Sequence, residues 1–251
     1  MEPYTLNLHF KFSQLKLLNE KEGEKILEEF ASELMSQLES KVAFHIGGIP
    51  VATSIVITWG IMLFMVVLSI VLVRNLKMVP TGPQIYLETV VGSLNNFVED
   101  ILGEEGKRYS PYLGTVALYI ACANLVGIFG LTPPTKDLNI TAGLAIMSII
   151  LIEYSGIKAK GYKGWMKSFA EPMPLLAPIN ILEILIRPLS LCMRLFGNVL
   201  GSFVVMELIK LVAPVLMPLP FSLYFDIFDG LIQTYVFVFL TALFMKEKME
   251  F

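Results

Sequence analysis

Five stretches of this chain are too long and too apolar to be stabilised in water, and they constrain the fold more than any motif does. Ile49 to Val73 is 25 residues without a charge. A stretch of about 20 apolar residues crosses the ~30 Å hydrocarbon core as a helix, so this one spans with some tilt. Tyr112 to Leu131 is a second charge-free run, and Leu138 to Ile157 a third, broken only by Glu153 near its far end. Two longer apolar stretches follow, 179–217 and 219–246, with Pro214, Pro218 and Pro220 marking the turn between them. Apolar residues make up 55% of the chain and charged residues only 16%. Soluble domains carry about 25% charged residues. The chain is therefore expected to be an all-α polytopic membrane protein with about five membrane helices.

The remaining segments are placed by pattern. From Ile85 to Leu102, apolar residues recur at helical spacing among Glu88, Asn95, Asn96, Glu99 and Asp100. That pattern predicts an amphipathic helix on the membrane surface, over 81–108. Residues 1–48 form a tail. Ile26, Phe30, Leu34 and Leu38 recur there every fourth residue among glutamates, as in an acidic amphipathic helix. The tail has no basic start, short apolar core or cleavage site, so it is not expected to be a signal peptide. Membrane domain and tail divide at residue 49.

Basic residues orient the domain. Arg74, Lys77, Lys107 and Arg108 fall in one connection, and Lys158, Lys160, Lys163 and Lys167 in another, Gly-rich one. The connection from Thr132 to Asp137 has only Lys136. Cytoplasmic loops carry the excess of Lys and Arg, so the N-terminus is expected outside and the C-terminus inside.

One segment carries a charge where charge is costly. Arg194 falls near the middle of 179–217, at a depth where a cation costs about 2.5–3.5 kcal/mol to insert. At 3.6 residues per turn, Arg187, Ser190, Arg194, Gly197, Asn198 and Gly201 share one small, polar face. Small residues allow another helix to approach closely, and a guanidinium cannot discharge itself. Two duties are open for Arg194: a fixed charge held against a partner, or one half of a structural ion pair with Glu183.

On the last helix Ser222, Asp226, Asp229 and Gln233 are spaced to share a face. Either they conduct, or the two aspartates are solvated at the interface; Gln233, a turn further in, favours the first. Glu207 lies about 20 Å along the axis from Arg194 and points away from its face. It either comes towards Asp226 by antiparallel packing or pairs locally with Lys210.

Other chemistry is thinly represented. No phosphate-binding loop, metal-ligand cluster or nucleophile triad is visible, and His9 and His45 both precede the first span. No cofactor and no metal is expected. The net charge of −3 gives no reason to expect a nucleic acid partner. Cys122 and Cys192 lie in apolar segments and define no disulfide framework.

At this point the sequence strongly resembles a known family, subunit a of the bacterial F-type rotary ATP synthase. The resemblance rests on Pro188-Leu-Ser190-Leu-Cys-Met-Arg194-Leu-Phe-Gly-Asn198, on Pro178-Ile-Asn180-Ile-Leu-Glu183 before it, and on Gln233 with the aromatics after it. Pro80-Thr-Gly-Pro83 with Glu88, and Asn124-Leu-Val-Gly, add to it. It runs from about Trp59 to the end. The resemblance implies that Arg194 is the stator arginine facing a ring of c subunits, and that the last two helices form a hairpin against that ring. It implies two offset half-channels, coupling proton or sodium flow to ATP synthesis. The chain is then no enzyme by itself, and its partners are the c-ring, the peripheral-stalk b subunits, the soluble ATPase sector and membrane lipid, in the bacterial inner membrane. Asp226, Gln233, Asn198, Glu207, Asp229 and Ser190 are the expected ion pathway. One departure is visible. Some members pair a Glu nine residues after the arginine with a His on the last helix; here those positions hold Phe203 and Asp226, which leaves Glu207 as candidate for the missing carboxylate's role and Asp229 as an extra group. Two other readings compete: a stand-alone ion-coupled transporter using Arg194 for an anionic substrate, and a silent membrane anchor. The absence of a visible repeat speaks against the transporter.

Overall fold

A computed structural model describes residues 42–46, 49–74, 76–80, 82–169, 177–212 and 218–250, with the isolated residues Ser32 and Leu175. The amphipathic helix expected over 20–40 lies outside the described residues, as does His9. Among the described residues, five helices are long and apolar enough to cross a membrane.

The described part starts with a short antiparallel hairpin, β1 (Val42–Ile46) and β2 (Ile49–Ala52), paired His45 to Pro50 and Ile46 to Ile49. The first span was expected to start at Ile49; helix α1 instead covers Thr53–Val73. The difference is taken up by β2, whose backbone pairs with β1 and so is not helical. Ile49 and Val51 are β-branched and fit a strand. α1 is apolar on every side and buries only Ile61. Two polar contacts hold it to the bundle: Ser54 donates to Asp137, and Thr58 Oγ1 lies 3.2 Å from the Tyr119 hydroxyl.

α2 (Pro83–Leu102) has the proline in its first turn, where its missing N–H costs nothing. It ends at Gly103, whose φ of 69° suits glycine. Val98 and Leu102 are buried, whereas Ile85, Tyr86, Val90 and Val91 are exposed. A 3-10 turn, Glu104–Arg108, leads into α3 (Ser110–Leu125), which tightens into 3-10 geometry over Val126–Phe129. After a 3-10 turn at Pro134–Lys136 comes α4 (Leu138–Ser168), capped by the Asp137 side chain on the Asn139 N–H at 3.0 Å.

The connection expected as a loop from Lys158 to Lys167 is helical. α4 continues to Ser168 with one kink, at Gly161 (φ 73°, ψ 163°). Lysine is a good helix former, so the charges leave the membrane without ending the helix; only the glycine breaks it. The long helix α5 is Ala177–Val212. The last membrane segment is composite: α6 (Pro218–Leu223), a π-helical turn (Tyr224–Asp229) and α7 (Gly230–Glu250).

The core lies where α3, α4, α5 and α7 meet, with Ile120, Ile152, Leu191, Leu195, Phe237 and Met245 at its centre. Ala117, Ala145 and Ala242 are also buried there. Small residues let helix backbones approach in lipid, where no hydrophobic force drives helix association. α2 joins through Phe97, whose ring packs 5.2 Å from that of Tyr235.

Candidate functional site

α5 determines what the site shows to the outside. Around its axis Leu189, Ser190, Met193, Arg194, Gly197 and Gly201 are exposed, whereas Arg187, Leu191, Cys192 and Leu195 are buried. The face expected to run from Arg187 to Gly201 is therefore divided. Its Arg187 and Asn198 edge turns towards the last helix, and the rest faces outward. Arg194 has no hydrogen bond or ion pair among the described residues. Glu183, the carboxylate considered for it, pairs with Arg187 at 2.6 Å. Arg187 also meets Glu247 at 2.6 Å and lies over the Phe244 ring. An ion pair exists on this helix, but Arg187 holds it.

Beside Asn198, on the inner side of α5, a cleft of about 490 Å³ opens towards the end of the bundle marked by Pro133 and Pro218. Its walls come from the end of α3 and the turn after it, from α5, and from the π-helical turn. π-turns are rare and often occur at functional sites. Here the turn spans Asp226 and Asp229, and both line the cleft.

The two carboxylates have different surroundings. Asp226 Oδ2 accepts from Ser222 Oγ at 2.7 Å. Its Oδ1 lies against Gly127, where an added Cβ would come within 2.6 Å, and has no hydrogen-bond partner among the described residues. Asp229 is held on both oxygens: Asn198 Nδ2 donates to Oδ1 at 3.0 Å and Oδ2 at 2.9 Å, and Ser202 Oγ to Oδ2 at 3.3 Å. Gln233, 5% exposed, accepts a long contact from Asn198 at 3.5 Å, and its Nε2 has no partner among the described residues. Asn198, Asp229 and Gln233 thus form a polar bridge from α5 to the last helix, one turn from Arg194.

Glu207 and Ser190 stand apart. Glu207 is half-buried and is not among the residues lining the cleft; the Lys210 side chain lies outside the described residues. Ser190 is exposed, one turn before Arg194 on its outward face.

Sequence reasoning did not single out Asn124, Gly127, Lys136 or Glu247 for the site. Asn124 is buried, donates to the Gly230 carbonyl at 3.0 Å and accepts from Thr135 Oγ1 at 2.9 Å, so it fastens α3 to the last helix. An asparagine inside an otherwise apolar span was the available signal. Lys136 places its ammonium 3.4 Å from the Phe203 ring centroid at the cleft wall. No sequence spacing links those two residues. At the opposite, lysine-rich end, Glu153 meets Lys248 at 3.7 Å and accepts from Trp165 Nε1 at 2.7 Å. Among the described residues no group of three His, Cys, Asp or Glu side chains converges as a metal site.

Five apolar spans define the class, a multi-pass membrane protein, here with an exposed mid-span arginine and a polar cleft beside it. Similarity to known proteins narrows that class. The family described as ATP synthase A chain matches residues 55–246. The chain is 34% identical over 222 residues to the "ATP synthase subunit a, sodium ion specific" of Propionigenium modestum, covering 82% of this chain and 77% of that one. It is 36% identical over 214 residues to ATP synthase subunit a of Moorella thermoacetica, covering 85% and 98%. With "ATP synthase subunit a 1" of Pelobacter propionicus it shares 39% identity over 204 residues, 79% and 88% of the two chains. The chain belongs to the ATP synthase subunit a family. It is the ion-translocating membrane subunit of an F-type ATP synthase, part of a multi-subunit complex and not an enzyme by itself. The stand-alone transporter reading is not favoured.

Proposed function

We propose that Arg194 is the fixed charge of the ion-translocation step and that it faces a rotor ring of c subunits. The observation that carries this reading is its exposure: a mid-span guanidinium without an ion-pair or hydrogen-bond partner among the described residues, on a face lined by Ser190, Gly197 and Gly201. An isolated cation at that depth is costly, so a partner chain has to supply the compensating charge. A carboxylate on each ring subunit does so. Beside Arg194 its charged form is favoured and it releases its ion; the guanidinium stays charged throughout.

The cleft is then one of two offset half-channels, with Asp226 as its ion-accepting carboxylate; the bridge of Asn198, Asp229 and Gln233 closes its inner wall and joins α5 to the last helix. Glu207 lies beyond its wall, and Ser190 belongs to the ring-facing surface. The excess of Lys and Arg in two connections puts the lysine-rich end in the cytoplasm of a bacterial cell and the cleft mouth outside. Ions entering from outside pass Asp226, board the ring, and leave on the cytoplasmic side after nearly a full turn, driven by about 2.3 kcal/mol per charge per 100 mV. Rotation reaches the soluble ATPase sector, while stalk b subunits hold this chain still. The transported ion is a proton or sodium.

The test is Arg194→Ala in the reconstituted complex. Ion-driven ATP synthesis should disappear while hydrolysis by the soluble sector survives. Arg194→Lys should be badly impaired, since a buried ammonium can lose its proton. Near-normal synthesis in Arg194→Ala would refute the assignment.

A further inference from the structure

The helix that carries Arg194 is built to be weak. Pro188 removes one backbone hydrogen bond six residues before it, and Gly197 and Gly201 follow within two turns. A rotation by one residue, about 100°, would swing Arg194 off the exposed face. Leu191 and Leu195 pack behind it, but apolar contact is non-directional. Directional restraint comes from polar contacts on the inner side of the helix. Arg187 is pinned before Arg194 by Glu247 of the last helix. Asn198 is pinned by Asp229 after it.

We propose that Asp229 is a positioning residue: its carboxylate, held by Asn198 and Ser202, fixes the rotation of α5 so that Arg194 stays on the outward face, and it does not itself carry the ion. The contrast with Asp226 supports this division. Both oxygens of Asp229 accept hydrogen bonds, three contacts in all, from groups on α5. Asp226 takes one contact from Ser222 on its own segment and keeps Oδ1 without a partner among the described residues. An ion carrier must bind and release its cargo. A carboxylate whose lone pairs are directed at a neighbouring helix would have to break that joint at each passage. The proposal rests on the reading of Arg194 as the fixed charge.

The experiment uses the whole ATP synthase reconstituted in liposomes, with proton and sodium gradients applied separately. Asp229→Asn keeps an acceptor oxygen for Asn198 and cannot ionise; Asp229→Ala keeps neither. Positioning predicts that Asp229→Asn stays within about twofold of wild type with an unshifted pH profile, whereas Asp229→Ala falls about tenfold, as expected for losing a hydrogen bond to a charged group. If Asp229→Asn falls as far as Asp229→Ala, ionisation is required and the proposal is overturned. A fully active Asp229→Ala overturns it too. Recovery of assembled complex is measured for each variant. Should Asp229→Ala fail to assemble, Asp229→Asn decides alone: retained activity supports positioning and lost activity refutes it. Arg194→Ala and Asp226→Asn run alongside. Unimpaired synthesis in Arg194→Ala would sink the underlying reading instead, whatever Asp229 shows.

Discussion

Arg194 and Arg187 are the same residue type, seven positions apart on one helix, and their surroundings give them opposite duties. Arg187 is buried between two carboxylates, and Arg194 is exposed. Helical spacing put both on one face, and so could not say which of them Glu183 would take. Close approach separates the two aspartates in a similar way. Gly127 leaves just enough room for the Asp226 carboxylate, a contact between segments about 100 residues apart that no local pattern announces. We expect Gly127→Ala to displace that carboxylate and cut ion-driven ATP synthesis severalfold, with Asp226→Asn at least about tenfold down, since losing the ionisable group costs more than moving it. Synthesis rates in reconstituted liposomes measure both. An unaffected Gly127→Ala would mean that Asp226 tolerates the shift.

The elements were legible where a single period governs them. Charge-free runs of membrane length announce their spans, and α2 follows from its amphipathic spacing. Departures occur where local context overrides composition: the pairing of β2 with β1 delays α1 to Thr53, and the helix-forming lysines carry α4 past Lys158 until Gly161 kinks it. The π-turn at Tyr224–Asp229 has no signature in the sequence, because its wider backbone pattern is imposed by packing. One such packing contact is the crossing of α3 and the last helix at Gly230, where an added Cβ would lie 2.9 Å from Asn124 Cβ. Gly230→Ala should push the two helices apart and stretch the bond from Asn124 to the Gly230 carbonyl, costing about 1–3 kcal/mol. A lowered unfolding temperature of the detergent-solubilised complex would register that loss; an unchanged one would show that the crossing adapts freely.

For the whole molecule, the bundle has two chemically different ends. The cleft opens at the end with Pro133 and Pro218, whereas Lys158, Lys163 and Lys248 gather at the other. That asymmetry makes the orientation testable. With Cys122 and Cys192 replaced, single cysteines at Lys136 and Lys163 should react with a membrane-impermeant maleimide from opposite sides, Lys136 from outside. Labelling of both from one side would refute the topology. The sequence by itself determined that the chain spans a membrane about five times and that a permanent cation lies mid-span, because both depend on local apolarity and charge. It also carried the residues by which the family is known. Only the tertiary structure decided which arginine is paired and which is exposed, that Asp229 is tied to Asn198 while Asp226 is not, and that Asn124 and Gly127 shape the cleft. Those outcomes depend on which helices touch and at what rotation, and that is settled by long-range packing of small residues rather than by any period along the chain.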